Sequence, residues 1–373
     1  MSTELSSASS STASTPHETA RITQIDALRG LAAMWVLLFH FSSRYEELFG
    51  HTPPLAFYLP DGRLGVHLFF MISGFVILMS IDRVTRVRDF IFFRFARLYP
   101  TFWICALITF VVMSFAPLPG RTVPPLHALM NVSMVPITTG FKPIDPVYWS
   151  LEIELFFYGL IAALVTLKLR SRIVAVLTLL VGINLLFLAL PGPVTELPKI
   201  IKLIRLCLSM RYLHFFLFGI LCYELFRSRA HTKSESPPSH RFIYVLALAL
   251  CMVTTFAEAP TDEFVITVGL GILFYAATAL RIRLLDNSVL LTLGACSYPL
   301  YTIHQNIGYV VIHALEGFSI HPFVSIAAAT ILVIGTSIGI SRLVELPSNR
   351  WLRSKYRSMG KDTITTAKVG GLT

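Results

Sequence analysis

The chain has 373 residues, 54% hydrophobic and only 14% charged, with a net charge of +10 and a mean hydropathy of +0.68. Soluble domains carry about 25% charged residues, so this composition excludes an ordinary soluble enzyme and, over most of the length, intrinsic disorder. The positive charge is read as basic loops flanking membrane spans, not as a nucleic-acid-binding surface.

Residues 1–20 are a Ser/Thr-rich tail without the apolar core of a cleavable signal peptide, and are expected to form a disordered cytoplasmic extension. Ten stretches long and apolar enough to span a bilayer follow, near 25–43, 64–81, 99–116, 148–167, 173–191, 212–226, 242–257, 264–280, 290–315 and 322–343. The sixth is the shortest, and the apolar run 200–210 is a candidate extension of it. Segment 124–137, with three prolines, reads as an irregular loop or interfacial piece. The loop at 192–211 carries Lys199, Lys202, Arg205 and Arg211 and reads as an interfacial helix or a basic surface. Residues 351–373 are expected to be a basic cytoplasmic tail. The predicted fold is an all-α polytopic membrane helix bundle of about ten transmembrane helices, one membrane domain over 21–350 with no soluble domain appended. With the N-terminus placed inside, 21 Lys and Arg fall in inner segments and 8 in outer loops, a bias that puts both termini in the cytoplasm.

Ionisable side chains within spans are costly and are functional candidates by default. Arg29 and His40 lie eleven residues apart on the first span, which places them on one helix face with a rise of about 16 Å. Glu154 in the fourth span and His304 in the ninth are predicted to lie at the same depth as His40, in the outer half, an arrangement suited to acid–base chemistry or a proton path. Glu152 is expected nearer the surface, solvated. On the inner side, Arg94 and Arg97, read as immediately preceding the third span, share a helix face. With Arg29 they form a candidate cationic pocket for an anionic group, and Glu345 is a candidate partner for one of these arginines. Cys105, Cys207, Cys222, Cys251 and Cys296 lie in apolar stretches with no metal-ligand spacing, so no disulfide framework or metal site is expected. Glycines 65, 74, 219, 269, 271, 294, 335 and 339 are expected at close helix contacts. Nucleotide-binding glycine loops and a GxSxG elbow are absent from the sequence.

Six of these blocks, in this order, resemble the acyltransferase 3 family of integral-membrane acyltransferases over about residues 22–350. IDALRGLAAMWVLLFHF is similar to its opening helix, with the Arg-x10-His motif at Arg29 and His40. GVHLFFMISGFVI resembles its second-helix block, FFRFARLYP its RxxR element at Arg94 and Arg97, and YWSLEIELFFY its WSLxxE block ending at Glu154. SYPLYTIHQ resembles its SYxLYLxH block ending at His304, and the segment from Glu345 to Pro347 its closing ExP element. His67 departs from the family's usual Asp, and the hydrolase-like domain of some larger members is not expected here.

The resemblance implies a bacterial inner-membrane enzyme. Its donor would be acyl-CoA, by default acetyl-CoA, with no metal. Its acceptor would be a hydroxyl of a surface polysaccharide, lipid-linked oligosaccharide or secreted glycan, and polysaccharide-assembly proteins are the expected partners within the lipid. Some members instead acylate small molecules such as macrolides. In this reading Arg29, Arg94 and Arg97 hold the CoA phosphates, His40 is the general base, and Glu154 or His304 orients it or binds the acceptor. The residues alone are also compatible with a proton-coupled transporter, in which His and Glu form a relay, or with a non-catalytic scaffold. The absence of an evident repeat between the two halves argues against the transporter.

Overall fold

The ten long apolar stretches become ten long helices in the computed structural model, which describes residues 23–189, 197–230, 238–280 and 282–369. No strand occurs among those residues. The Ser/Thr tail at 1–20 lies outside them. The ten are α1 (Thr23–Phe39), α3 (Gly65–Asp82), α4 (Val87–Phe115), α6 (Tyr148–Thr166), α7 (Ile173–Ala189), α9 (Leu213–Ala230), α10 (Pro238–Glu258), α11 (Thr261–Ala279), α13 (Ser297–Gly317) and α14 (Pro322–Ile340). Shorter helices connect them: α2 (Tyr45–Phe49), α5 (Pro125–Met130), α8 (Lys199–Cys207) and α12 (Ser288–Ala295), while α15 (Leu346–Val369) runs on through the expected basic tail. Among the described residues, eight segments are long and apolar enough to cross a membrane. Leu107, Phe115, Leu186, Val245 and Ile331 stand exposed on them, where only lipid tails would be a favourable solvent.

The two expected spans that fall short of that standard, α9 and α13, are the polar ones. Every residue of α13 from Ser297 to Tyr309 is buried, including His304, Gln305 and Asn306. Over that stretch the helix is surrounded by protein, so the polar side chains there never meet lipid and the mean apolarity is free to drop.

Two boundaries differ from expectation for physical reasons. The ninth span breaks at Cys296 into α12 and α13. Pro299 lacks an N–H and its ring would clash with the carbonyl of residue 295 in a continuous helix; that carbonyl is taken instead by Ser341 Oγ at 3.2 Å. The third span begins twelve residues early, so Arg94 and Arg97 ride within the 29-residue α4 rather than before it. The stretch 192–211 contains α8, which exposes Ile200, Leu203 and Ile204 together with Lys199 and Lys202, the pattern of an interfacial helix.

Close packing is bought by glycine at two crossings. A Cβ on Gly74 or Gly219 would collide with the facing backbone of α9 or α3, and one on Gly30 or Gly294 with that of α12 or α1. Gly269, Gly335 and Gly339 face open space, contrary to the packing role expected for them. All five cysteines are free, four of them buried.

Thr23 and the start of α15 lie at one end of the bundle, hereafter proximal; the other end is distal. At the proximal end Asp82 accepts hydrogen bonds from Arg170 (2.7 Å), Arg227 (3.0 Å) and Tyr223 (2.9 Å), tying α3, α9 and the turn before α7.

Candidate active site

The helix carrying Arg29 and His40 changes character at the histidine. α1 gives way to a π turn over His40–Arg44, and a second π turn spans Ser341–Glu345. Such widened turns are rare and gather at functional sites. Each moves backbone N–H groups from i−4 to i−5 carbonyls and leaves a carbonyl short of a donor. Side chains supply the donors here: His40 Nδ1 lies 2.8 Å from the Val36 carbonyl, Ser42 Oγ donates to Leu38 at 2.6 Å, and His51 Nε2 lies 3.0 Å from the Phe41 carbonyl. His51 is itself held by Glu316, Nδ1 to Oε1 2.7 Å. Gly308 leaves room for the Phe41 ring, which its Cβ would overlap.

His304 approaches His40 across this turn. Its Nε2 is 3.2 Å from His40 Nδ1, and its Nδ1 is 2.9 Å from the Tyr301 carbonyl. For two neutral rings this geometry admits one proton arrangement. His304 carries its proton on Nδ1, because only a donor satisfies the Tyr301 carbonyl. Its Nε2 is then a lone pair, which must face a donor, so His40 is protonated on Nδ1, shared between Val36 and His304. The remaining lone pair is on His40 Nε2. His304 is 1% exposed, whereas His40 is only half-buried.

The arginines line a different space. A cavity of about 680 Å³, including its mouth, is bounded by Arg29, Arg94 and Arg97, by Glu154, Ser73 and Tyr158, and by Phe69, Phe70, Tyr298 and Tyr301. Arg94 donates to the Val76 carbonyl at 3.3 Å and lies 5.1 Å over the Tyr158 ring. Glu154 accepts from Ser73 Oγ at 2.6 Å and from the Tyr158 hydroxyl. Glu345, in the second π turn, accepts from Ser341 at 3.0 Å and is an electrostatic neighbour of Arg97 and Arg29. Three guanidinium groups in a cleft whose walls are largely apolar and aromatic fit a ligand with anionic phosphates and an uncharged arm.

Glu154 therefore lies in the arginine layer, not at the depth of the histidines as expected. The α6–α13 register shows why. Asp145 meets Asn306, Tyr148 meets Thr302 and Ser150 meets Tyr301, an antiparallel pairing that carries Glu154 toward Tyr298 and the proximal end while His304 climbs distally. From the Ser150–Tyr301 contact, four residues one way and three the other separate them by about 10 Å of rise. α6 starts well inside the bundle, and the loop before it folds over its first turn. Glu152, expected to be solvated, is 1% exposed and accepts from the Ile137 and Thr138 backbone N–H groups at 3.1 and 2.8 Å, and from the Thr138 hydroxyl.

The cavity and the histidine pair meet at Tyr301. Its ring lines the former and lies 5.6 Å from that of His304, and its hydroxyl is 2.6 Å from Ser150 Oγ. Two residues missed in the sequence hold α13 here. Asp145 Oδ2 accepts from the Asn306 N–H at 3.0 Å, and the Tyr148 hydroxyl donates to the Thr302 carbonyl at 3.2 Å, an i, i+4 pair of groups flanking His304. Burial pushes the Asp145 carboxyl up to about 6, against the pull of the Asn306 and Val147 N–H groups and Arg121. The Asp-Pro in the loop before the WSLxxE block was the available signal for a turn with a buried carboxylate.

Among the described residues no group of three His, Cys, Asp or Glu side chains is placed to hold a metal ion. No curated protein and no solved structure matches the chain. A sequence profile of the acyltransferase 3 family, described as an acyltransferase domain, matches residues 22–342. With that match covering most of its length and a polytopic helical bundle as its fold, the chain is a membrane acyltransferase and belongs to the acyltransferase 3 family.

Proposed function

We propose that this acyltransferase is an O-acetyltransferase of the bacterial inner membrane, with both termini cytoplasmic, that moves an acetyl group from acetyl-CoA to a hydroxyl of a surface or secreted glycan, working beside the proteins that assemble that glycan. The observation that carries this reading is the free Nε2 lone pair of His40, fixed by His304 and Val36, at the far end of the helix whose other end presents Arg29 to the cationic cavity. Arg29, Arg94 and Arg97 would hold the phosphates of the donor, and the cleft walled by Phe69, Phe70 and Tyr298 would take its uncharged arm. The donor contributes an activated thioester; the chain's residues do the rest. His40 Nε2 accepts the acceptor hydroxyl's proton as the oxygen attacks the thioester carbonyl. A C–O bond forms, the C–S bond breaks, and the proton held by His40 passes to the departing thiolate. His304 stabilises the transient imidazolium by accepting from Nδ1–H and excludes the alternative tautomer. The rise of about 16 Å from Arg29 to His40 suits a donor whose charge stays proximal while its acyl end reaches the distal half.

The test is transfer of labelled acetyl from acetyl-CoA to glycan in membranes containing the protein, with mass spectrometry of the product. An ester of acetyl mass on a glycan hydroxyl is expected. Absent turnover together with a substrate-dependent pH change in sealed vesicles would overturn this reading in favour of a proton-coupled transporter.

A further inference from the structure

A second cavity, of about 660 Å³ including its mouth, opens toward the distal end between α3, α9, α10 and α11. Val66 lines both cavities, and Phe70 of the first packs 6.2 Å from Trp149 of the second, so one layer of side chains divides them. Its floor holds His67 and His214. His67 is satisfied by Thr267 Oγ1 at 3.2 Å and stacks on Phe215 at 4.2 Å. His214 is 1% exposed, and neither of its ring nitrogens has a hydrogen-bond partner.

A neutral imidazole offers one donor and one acceptor, and leaving both buried and unpaired is costly. A hydroxyl satisfies either. One wall is aromatic, Trp149 and Tyr212 with ring centroids 5.2 Å apart, a surface for an apolar face rather than an ion. The charges at the mouth are balanced. Arg63 makes a two-pronged bond to Glu263, and Arg211 is an electrostatic neighbour of Glu258. The cavity therefore suits an uncharged ligand bearing hydroxyls on its edges and C–H groups on its face, which is a sugar ring. Its rim reaches the helix that carries the base: Gly62, next to Arg63, packs on Phe39, whose ring lies 4.8 Å from that of His40.

We propose that this cavity is the acceptor subsite, in which His214 and the Trp149–Tyr212 wall hold one neutral sugar unit of the glycan whose neighbouring hydroxyl is acylated; this rests on the acyltransferase reading above. The experiment uses the full chain in detergent, labelled acetyl-CoA as donor, and as titrated acceptor the oligosaccharide pool released by mild acid from the surface glycan of the host cells. His214→Phe keeps a ring but loses both nitrogens, His214→Gln restores a donor and an acceptor, and Trp149→Ala removes the stacking wall.

His214→Phe and Trp149→Ala should each raise the acceptor concentration for half-saturation by about tenfold, the effect of one lost buried hydrogen bond or ring contact. The half-saturation for acetyl-CoA should be unchanged, and His214→Gln should return most of the acceptor affinity. Variants that turn over normally with an unaltered acceptor constant, or that lose donor and acceptor affinity equally, would overturn the assignment while leaving the acyltransferase standing. A wild-type chain that binds the oligosaccharide pool, loses that binding in His214→Phe, yet neither binds nor turns over acetyl-CoA would keep the sugar site and overturn its role as acyl acceptor.

Discussion

The arginine cavity and the histidine pair share the α1 segment but are built by opposite means. Arg29, Arg94 and Arg97 come from α1 and α4 and reach into a cleft whose other walls are apolar and aromatic side chains together with Ser73 and Glu154. His40 and His304 are each bound to a carbonyl of their own helix before they meet one another. Long cationic side chains around a void suit a ligand that arrives and leaves. Rings locked by backbone carbonyls suit a proton that must move along one line. Binding and chemistry are thus divided along α1, and each half should fail in its own way.

The largest effect is expected at the base. His40→Gln keeps a hydrogen bond to Val36 but cannot take the proton, so kcat should fall about 10²–10⁴-fold with acyl-CoA binding preserved in calorimetry. In the unaltered enzyme the rate should fall as pH drops and His40 becomes protonated, and the residual rate of the variant should lose that acid limb. Next is Arg97→Ala, which should weaken acyl-CoA binding by about 10- to 100-fold, the value of a charge-assisted contact to phosphate, with a shallower salt dependence and kcat at saturation nearly unchanged. A kcat loss as large as that of His40→Gln would erase the division between the two regions.

His304→Leu should cost about tenfold in kcat, one hydrogen bond's worth, because Val36 still holds the His40 tautomer. The pH profile should shift along with it, which a packing defect alone would not produce. The smallest change sharpens the comparison most. Glu154 sits among the arginines, where its charge opposes an incoming phosphate, so Glu154→Gln should tighten acyl-CoA binding by about two- to threefold. A hundredfold loss of kcat in that variant would return Glu154 to the chemistry.

Apolar run length made the spans legible, and the cost of burying charge made Arg29, His40, Glu154 and His304 stand out within them. What a helical period cannot carry is which helix a face meets. The encounter of His40 with His304 joins residues far apart in sequence, as does that of His51 with Glu316. The depth of Glu154 is not legible because the first apolar residue of a span need not lie at the membrane surface. Here Asp145 and the loop before α6 are buried above that residue, so the helix starts below the surface. Glu152 looked like a surface acid for the same reason.

The π turn at His40–Arg44 also sets how the chain tolerates changes in length. It holds one residue more than an α-helical turn would, so deleting Ser43 would let α1 run on into α2 as regular helix. Arg29 and His40 lie before the deletion and would keep their relative positions. Because the extra residue is absorbed within a single turn, everything after it would keep its phase, and the regular ladder would reclaim the carbonyls that the side chains of Ser42 and His51 now serve. A one-residue deletion here would thus spare both named ends of the motif and the register of α2, and remove only the widened turn beside His40, while the same deletion near Gly120, where the backbone faces open space, would be absorbed by the loop.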